Sequence, residues 1–257
     1  GAPCYRCRGR NTLPGLALRC RGSAAEAAVY AAGLSVQQPR IFEHTDRFIS
    51  VSRAHGARLQ ELGLPGERVV TLPNFIARRR FAERSAADAG SHALVSGRLV
   101  EEKGFDTAID ACRASGVPLV VAGEGPDGPR LRRLAGDAEV TFTGRVLPDV
   151  LDDLRRRAAL VLVPSRCEEA CPYSALDAHA AGVPVLASNR GGLPELVGPG
   201  AALDADDPAR WAQAVGALWR TPAARRELGQ RGLERAREEL GEETYHRRLL
   251  EVYGAAV

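Results

Sequence analysis

The chain has 257 residues, of which 45% are hydrophobic and 26% are charged. This composition is typical of a globular protein with one or two domains and excludes a wholly disordered chain. The net charge of only +3, with no basic block, argues against nucleic-acid binding. The longest apolar run, residues 158–163, is far below the roughly 20 residues of a membrane helix. We therefore expect no membrane span and a cytoplasmic protein, while peripheral contact with a membrane stays open.

Two residue types are absent or almost absent. The chain contains no Met and begins at Gly1, so we expect that it lacks the beginning of its reading frame. Lys103 is the only lysine beside 34 arginines, a bias typical of a GC-rich genome, and we expect a bacterial protein. A lysine kept against such a bias either survives by chance or stands where a compact ammonium fits and a planar guanidinium does not.

The first 90 residues predict few elements. An Ala-rich stretch predicts a helix over residues 24–34. Residues 46–52 and 68–72 predict strands on either side of a helix over 54–62. The polar and basic residues 77–90 are interpreted as an interdomain connection.

From residue 93 onward, short apolar strands alternate with helices. Strands are predicted over residues 93–96, 118–122, 140–143, 160–163 and 183–187. Helices are predicted over residues 105–114, 128–135, 149–157, 173–181, 194–197, 208–219, 223–239 and 242–253. Strands without polar alternation, separated by helices, indicate a parallel sheet covered on both faces. The predicted fold is a doubly wound, Rossmann-like α/β domain, which binds ligands at the carboxyl ends of its strands.

The segment SGRLVEEKG, residues 96–104, joins the first of these strands to a helix. Gly97 permits a turn, and Arg98 and Lys103 flank the loop. Two cations next to the unsatisfied N–H groups of a helix N-terminus predict a diphosphate site. The alternative is a solvated Arg and Lys that pair with Glu101 and Glu102.

A second polar segment, residues 164–179, follows a later apolar strand. Pro172 is expected to be the first helical residue. Glu169 and Asp177 stand eight residues apart, which corresponds to about 12 Å or somewhat more. Such a pair can hold two hydroxyl-rich ends of one elongated ligand, or the two acids are unrelated surface residues. The turn at Gly191 and Gly192, after the next strand, is rich in backbone N–H groups and suits phosphate.

Two further motifs have a structural and a functional interpretation. Residues 123–128 match G-x-G-x-x-G, but they belong to a later unit than a dinucleotide site requires, so we expect a tight turn beside another nucleotide. Asp204 and Asp206 match the D-x-D of metal-dependent sugar transferases. Because Asp207 and Pro208 follow, helix capping is the favoured interpretation.

Three cysteines near the start of the chain are candidate metal ligands. Cys4, Cys7 and Cys20 supply three thiols, whereas structural zinc usually takes four ligands. The fourth would be His44 or an upstream residue. The alternative, which we favour, is a set of unrelated reduced thiols, and no metal site is assigned.

Taken in order, these motifs resemble glycosyltransferase family 4, the retaining sugar transferases of the GT-B type with two Rossmann-like domains. GRLVEEKG at 97–104 resembles the family's diphosphate-binding segment, and EACPYSALD at 169–177 resembles its E-x7-E motif. AAGVPVLAS and GGLPE, over residues 180–195, resemble the segment after it. DRFISVS and VVTLPN, within residues 46–74, resemble the end of the acceptor domain.

The resemblance implies a role for each site residue. Arg98 and Lys103 would bind the donor diphosphate, and Glu169 would hold hydroxyls of the donor sugar; these three form the implied catalytic set. Asp177 would take the ribose hydroxyls. The remaining donor-binding residues implied are Gly97, Gly123, Ala170, Cys171, Pro172, Tyr173, Gly191 and Gly192. Asp177 stands where the family has a second Glu, and its side chain is one methylene shorter, so nucleotide affinity is expected to be weaker.

The resemblance also implies a domain plan and a reaction. Residues 1–75 would be a remnant of the acceptor domain, 76–235 the donor-binding domain, and 236–257 a C-terminal helix that packs back toward the first. The implied enzyme transfers a sugar from a nucleoside-diphosphate sugar to a hydroxyl of a glycan, lipid or small molecule, with retention and without a metal or other cofactor. The alternatives are an inactive nucleotide-sugar-binding fragment, a GT-B-like epimerase, and a scaffold assembled through the cysteine segment.

Overall fold

The computed structural model describes residues 11–20, 22–198 and 200–255. The chain divides into two compact units. Residues up to Pro73, together with those from Arg247 onward, form the first unit, and residues 74–246 form the second. Within the described ranges, no helix combines the length and the apolar character needed to cross a bilayer.

The first unit contains helices and one short parallel strand pair. Its elements are α1 (Leu13–Ala17), α2 (Ala24–Glu43), β1 (Phe48–Ser50), α3 (Arg53–Glu61) and β2 (Val69–Thr71), and β1 pairs with β2 in parallel. A capping box of Ser23 and Glu26 starts α2. The predicted helix at 24–34 is right in type but too short, because α2 continues past Pro39 to Glu43. The short helix α1 was not predicted.

The second unit follows the predicted alternation of strands and helices closely. Its strands are β3 (His92–Ser96), β4 (Leu119–Ala122), β5 (Val140–Gly144), β6 (Ala158–Val163), β7 (Val185–Ser188) and β8 (Ala202–Leu203). Its helices are α4 (Phe105–Ser115), α5 (Gly128–Ala135), α6 (Pro148–Arg156), α7 (Tyr173–Ala180), α8 (Leu193–Val197), α9 (Pro208–Trp219) and α10 (Pro222–Leu240). The two-residue strand β8 was not predicted. The last helix, α11 (Glu242–Gly254), belongs to the first unit from residue 247 onward.

The six strands form one parallel sheet in the order β5-β4-β3-β6-β7-β8. The chain winds outward from β3 to β5 and then returns to place β6 on the other side of β3. The order of the strands therefore reverses between β3 and β6. In open parallel sheets, ligands bind outside the carboxyl ends of the strands at this kind of switch point, so the topology directs attention to the loops that follow β3 and β6.

Helices cover both faces of the sheet, as predicted. Along β3, Ala93 and Val95 belong to one buried apolar cluster with α4 and α9, whereas Leu94 belongs to a second cluster with α7. Because successive side chains of a strand point to opposite faces, each face needs its own apolar residues. This requirement explains why the strand sequences show no polar alternation.

The segment 77–90, interpreted from its polarity as an interdomain connection, is packed inside the second unit. Ser85 and Ala87 are buried, and the Ser85 hydroxyl donates to the Gly182 carbonyl at 2.6 Å. The buried guanidinium of Arg225 donates to the carbonyls of Ala87 and Asp88, both at 2.9 Å. The interpretation was wrong because backbone carbonyls, which a composition argument does not consider, satisfy the polar groups.

Candidate donor site

Two tight turns shape the loop after β3, residues 97–104, which we name the Lys103 loop. Gly97 and Gly104 have φ values of +147° and +67°, a region that favours glycine. A Cβ atom at Gly104 would lie 2.0 Å from the Pro164 carbonyl oxygen. The loop can therefore rest on the end of β6 only because residue 104 has no side chain. Lys103 stands immediately before this contact.

The loop after β6, residues 164–172, is named the Glu169 loop and is held from several sides. The Ser165 hydroxyl donates to Glu169 Oε1 at 2.7 Å. The Gly192 N–H donates to the Glu169 carbonyl at 2.7 Å, and a Cβ at Gly191 would lie 2.3 Å from that same oxygen. The Glu169 side chain and backbone are thus both positioned before any ligand arrives. Pro172 is the N-cap of α7 rather than its first helical residue.

Lys103 and Glu169 meet across the two loops. Lys103 Nζ lies 2.5 Å from Glu169 Oε1, with 29% and 14% of the two side chains exposed. Burial acts to lower the pKa of Lys103, but its hydrogen bond to Glu169 and the Glu169 charge outweigh burial, so the pKa is raised above its usual value. Lys103 is therefore a cation at neutral pH, and a ligand can still reach it.

This ion pair lies in the wall of a cavity of about 430 Å³. Seven of the predicted site residues line it: Gly97, Arg98, Lys103, Glu169, Pro172, Tyr173 and Asp177. Five do not line it: Gly123, Ala170, Cys171, Gly191 and Gly192. The cavity opens at the switch point between β3 and β6, and its wall includes the start of α7, which no side chain caps.

Three of the predicted glycines act as supports behind the cavity. A Cβ at Gly123 would lie 1.8 Å from the Gly97 carbonyl oxygen, so the turn after β4 packs directly on the Lys103 loop. Gly191 and Gly192 hold the Glu169 backbone, as described above. The G-x-G-x-x-G match is thus a tight turn against a neighbouring loop, as predicted, and its direct contact with a nucleotide stays a prediction.

Arg98 adopts the arrangement that the alternative interpretation proposed. Its guanidinium is largely exposed and pairs with Glu102 at 3.3 Å. Exposed pairs of this kind contribute only about 0–1 kcal/mol, so a ligand can replace Glu102 at small cost. Lys103, in contrast, pairs with Glu169 rather than only with its sequence neighbours.

Asp177 lines the cavity, but its carboxylate already forms ion pairs with two arginines. Its two oxygens lie 3.1 Å from Arg80 and 3.5 Å from Arg155. Asp152 completes a four-membered network through contacts to both arginines. Burial raises the pKa of Asp177 and outweighs the opposing effect of the two arginines. The ribose role of Asp177 stays a prediction, and a ribose would have to share this carboxylate with Arg80 and Arg155.

Sequence reasoning missed three arginines around the site. Arg155 lines the cavity and is almost fully buried. In the sequence it is one of several arginines at the end of a predicted helix, so nothing distinguished it from its neighbours. Arg80 belongs to the segment 77–90, which was interpreted as a polar interdomain connection. Arg166 donates to the Glu101 carbonyl, Asp106 and Thr107. For Arg166, the one available signal was its position three residues after the buried strand β6, in a loop at the sheet edge where parallel sheets bind ligands.

Neither the D-x-D motif nor the cysteine segment forms a metal site among the described residues. The Asp207 side chain accepts from the Arg210 N–H and caps α9, as predicted, while Asp206 pairs with Arg190 at 3.0 Å. Cys4 and Cys7 lie outside the described residues, and Cys20 is an exposed free thiol. Among the residues that are described, no group of three or more His, Cys, Asp or Glu side chains is arranged to hold a metal ion.

A family model described as glycosyl transferases group 1 matches residues 90–221, slightly more than half of the chain. The match contains both loops of the cavity.

Curated relatives agree with this match. A GDP-mannose-dependent alpha-(1-6)-phosphatidylinositol monomannoside mannosyltransferase of Mycobacterium tuberculosis is 35% identical over 183 residues, which are 62% of this chain and 48% of that protein. A D-inositol 3-phosphate glycosyltransferase of Acidothermus cellulolyticus is 32% identical over 215 residues, or 71% of this chain and 47% of that protein. The chain spans about half the length of the curated relatives it matches.

Solved structures share the fold. The Anabaena protein HepE, solved in complex with UDP and glucose, matches with a TM-score of 0.76 at 18% identity over 87% of this chain and 67% of its own. Sucrose-phosphate synthase from Thermosynechococcus elongatus matches with a TM-score of 0.71 at 26% identity over 84% of this chain and 59% of its own. The doubly wound domain is therefore of the GT-B type, and the chain belongs to the glycosyl transferases group 1 family.

Proposed function

We propose that this chain provides the nucleotide-sugar site of a retaining, family 4 hexosyltransferase that passes a sugar to an acceptor hydroxyl. The observation that carries the proposal is the Lys103–Glu169 pair, 2.5 Å apart in a cavity at the switch point of the sheet. A cation that can bind a diphosphate thus lies beside a carboxylate that can accept hydrogen bonds from sugar hydroxyls, and this pairing supports the proposal. Residues 76–235 would form the donor domain, and a cytoplasmic location stays a prediction.

The proposed reaction breaks the bond between the anomeric carbon and the diphosphate oxygen. Negative charge grows on the leaving diphosphate, and preorganised cations stabilise this charge more in the transition state than in the ground state. Arg98 and Lys103 would supply that stabilisation, which makes the proposed enzyme independent of a metal. In same-face attack, the acceptor oxygen bonds to the anomeric carbon and its proton passes to the leaving phosphate.

Binding of the donor would require Lys103 to turn from Glu169 to the phosphates. The exchange is feasible because both side chains are partly exposed and the ligand phosphate carries a larger charge than the carboxylate it replaces. Glu169 keeps the Ser165 hydroxyl as a partner, so it is not left without a donor while it turns to the sugar. The names of relatives mention GDP-mannose and UDP, which leaves the base to be determined.

The test is calorimetric titration of the 257-residue chain with UDP, GDP, ADP and dTDP. We expect at least one of them to bind. Lys103→Ala should lower the affinity for that nucleoside diphosphate about 10- to 100-fold, which corresponds to the loss of a charge-assisted hydrogen bond. The melting temperature of this variant should stay near that of the wild type. Arg113→Ala, which removes an exposed cation paired with Asp110 on α4, is the matched control and should bind as the wild type does.

Two outcomes would contradict the proposal. One is the absence of binding for every nucleoside diphosphate, and the other is equal affinity in the wild type and Lys103→Ala. Product analysis after incubation with a nucleotide sugar separates the alternatives. An isomerised donor without acceptor would indicate an epimerase, and binding with no transfer to any acceptor would indicate an inactive fragment.

A further inference from the structure

Arg166 links the two loops of the donor site through both its backbone and its side chain. Its N–H donates to the Glu102 carbonyl at 2.8 Å, and the next N–H, of Cys167, donates to the same oxygen at 3.3 Å. Its guanidinium reaches the Glu101 carbonyl at 3.1 Å. These contacts hold the Glu169 loop against the residues that immediately precede Lys103.

The same guanidinium also fixes the first turn of α4. It lies 2.8 Å from Asp106 and 3.1 Å from the Thr107 hydroxyl. Burial would raise the pKa of Asp106, but the hydrogen bond and charge of Arg166, with smaller contributions from the Thr107 N–H and Arg130, lower it. Asp106 is therefore ionised at neutral pH. The planar guanidinium contacts three oxygens on one loop and helix, which a lysine ammonium cannot match in geometry.

Two side-chain bridges thus join the loops in the free protein. The Lys103–Glu169 bridge consists of the groups proposed to bind the donor, so it must open when the diphosphate and the sugar arrive. The Arg166 bridge uses no such group and stays closed. Loss of the Arg166 side chain would consequently matter more in the ligand-bound state, where the two backbone hydrogen bonds to the Glu102 carbonyl would have to hold the loops without a side-chain bridge. In the free state, Lys103 and Glu169 still add their bridge.

We propose that Arg166 is a positioning residue for the diphosphate subsite, which keeps Lys103 in register with Glu169 after the ligand has separated them. The inference rests on the proposed function of Lys103. It also predicts little loss of stability in Arg166→Ala, because Asp106 keeps Arg130 as an ion-pair partner at 3.3 Å and is not left as an unpaired charge.

The test is a double-mutant cycle on the full chain with UDP, GDP, ADP, dTDP and inorganic pyrophosphate as probes. We expect Arg166→Ala to lower the affinity for the probe about tenfold, which lies within the range of coupling energies between residues of one network. Arg166→Lys should recover part of the affinity, and the control variant Arg113→Ala should bind the probe as the wild type does. In the Lys103→Ala background, the further effect of Arg166→Ala should fall below about twofold, because Arg166 acts through Lys103.

The outcomes separate this inference from the function on which it rests. A wild-type chain that binds none of the probes overturns the proposed function and the inference with it. A wild-type chain that binds, combined with an unchanged affinity in Arg166→Ala, overturns the inference alone. The inference alone is also overturned if Arg166→Ala lowers the affinity tenfold in both the wild-type and the Lys103→Ala background. A loss of affinity in Arg166→Ala that is accompanied by a matching fall in melting temperature overturns it as well.

Discussion

The cavity proposed to bind the donor has an ion pair on one side and an ion network on the other, and the two differ in how easily a ligand can replace a charged partner. Lys103 and Glu169 form a simple pair whose side chains are 29% and 14% exposed. Asp177 belongs to a network of two arginines and two aspartates in which Arg155 is only 5% exposed. A ligand can compete for the first set of charges far more easily than for the second.

The difference follows from the cost of separating buried charges. Breaking a buried pair leaves a charge without solvent or partner, whereas opening a partly exposed pair returns both charges to water or to a ligand. The Lys103 side of the cavity is thus suited to exchange partners, and the Asp177 side is suited to stay as it is. The spacing of Glu169 and Asp177 in the sequence indicated that both acids could contact a ligand. It could not show that one forms an exchangeable pair and the other belongs to a buried network.

The largest expected effect is on the Asp177 side. Asp177→Ala leaves the buried guanidinium of Arg155 and the half-buried Arg80 to share Asp152 as their one remaining partner in the network. We expect a loss of about 1–3 kcal/mol in the free energy of unfolding, the cost of removing one partner from a buried polar group. Chemical denaturation measures it. Asp153→Ala, which breaks an exposed pair with Arg157, is the control and should cost less than about 1 kcal/mol. Equal costs for the two variants would remove the distinction between the two sides.

A smaller effect is expected on the Lys103 side. Glu169→Gln removes the competitor for Lys103, so we expect nucleoside-diphosphate affinity to rise about two- to fivefold, the value of a partly exposed pair. The extra affinity that the sugar of a nucleotide sugar provides should be lost in the same variant. Calorimetry with the nucleoside diphosphate and the corresponding nucleotide sugar measures both effects. A fall in nucleoside-diphosphate affinity would mean that Glu169 positions Lys103 rather than competing for it.

The smallest effect concerns pH. Because the folded state lowers the pKa of Asp106, this group stabilises the fold above its unfolded pKa of about 3.9, and the contribution is lost as the pH falls through the lowered folded value. Arg166→Ala weakens the cause of the shift. Its free energy of unfolding should therefore fall less steeply than that of the wild type between about pH 5 and pH 2. Identical slopes would show that Arg130 and the Thr107 N–H maintain the ionised state of Asp106 without Arg166.

The sequence was sufficient to predict the sheet domain because its signals are local. Apolar runs, together with a Gly at the end or a Pro at the start of an element, located the five longer strands and the α-helices α4 to α10 of the second unit. The predicted and observed bounds differ by one or two residues at most ends. β8 was missed because two residues, Ala202 and Leu203, carry no pattern. The extension of α2 was missed because Pro39 and the polar residues before it resemble a helix end.

The site was predicted in part, for a physical reason. Lys103 and Glu169 follow strands that are adjacent at the switch point, so their proximity follows from topology. The partners of Asp177 come from α6 and from the segment before β3, and nothing in the sequence relates Arg80 or Arg155 to that position. Guanidinium partners at long sequence separation are set by packing, and one arginine among 34 carries no individual signal.

The decisive measurement is a crystal structure of the chain with a bound nucleoside diphosphate. We expect the diphosphate to lie in the cavity between Arg98 and Lys103, with Lys103 Nζ bound to a phosphate oxygen instead of Glu169 Oε1. Asp177 should keep its contacts to both arginines. A second, mostly apolar cavity of about 590 Å³ lies beside α8, α9 and α10, with Arg210, Arg231 and Arg235 in its lining. A nucleotide bound in this second cavity, with the Lys103–Glu169 pair undisturbed, would show that Lys103 and Glu169 do not form the nucleotide site.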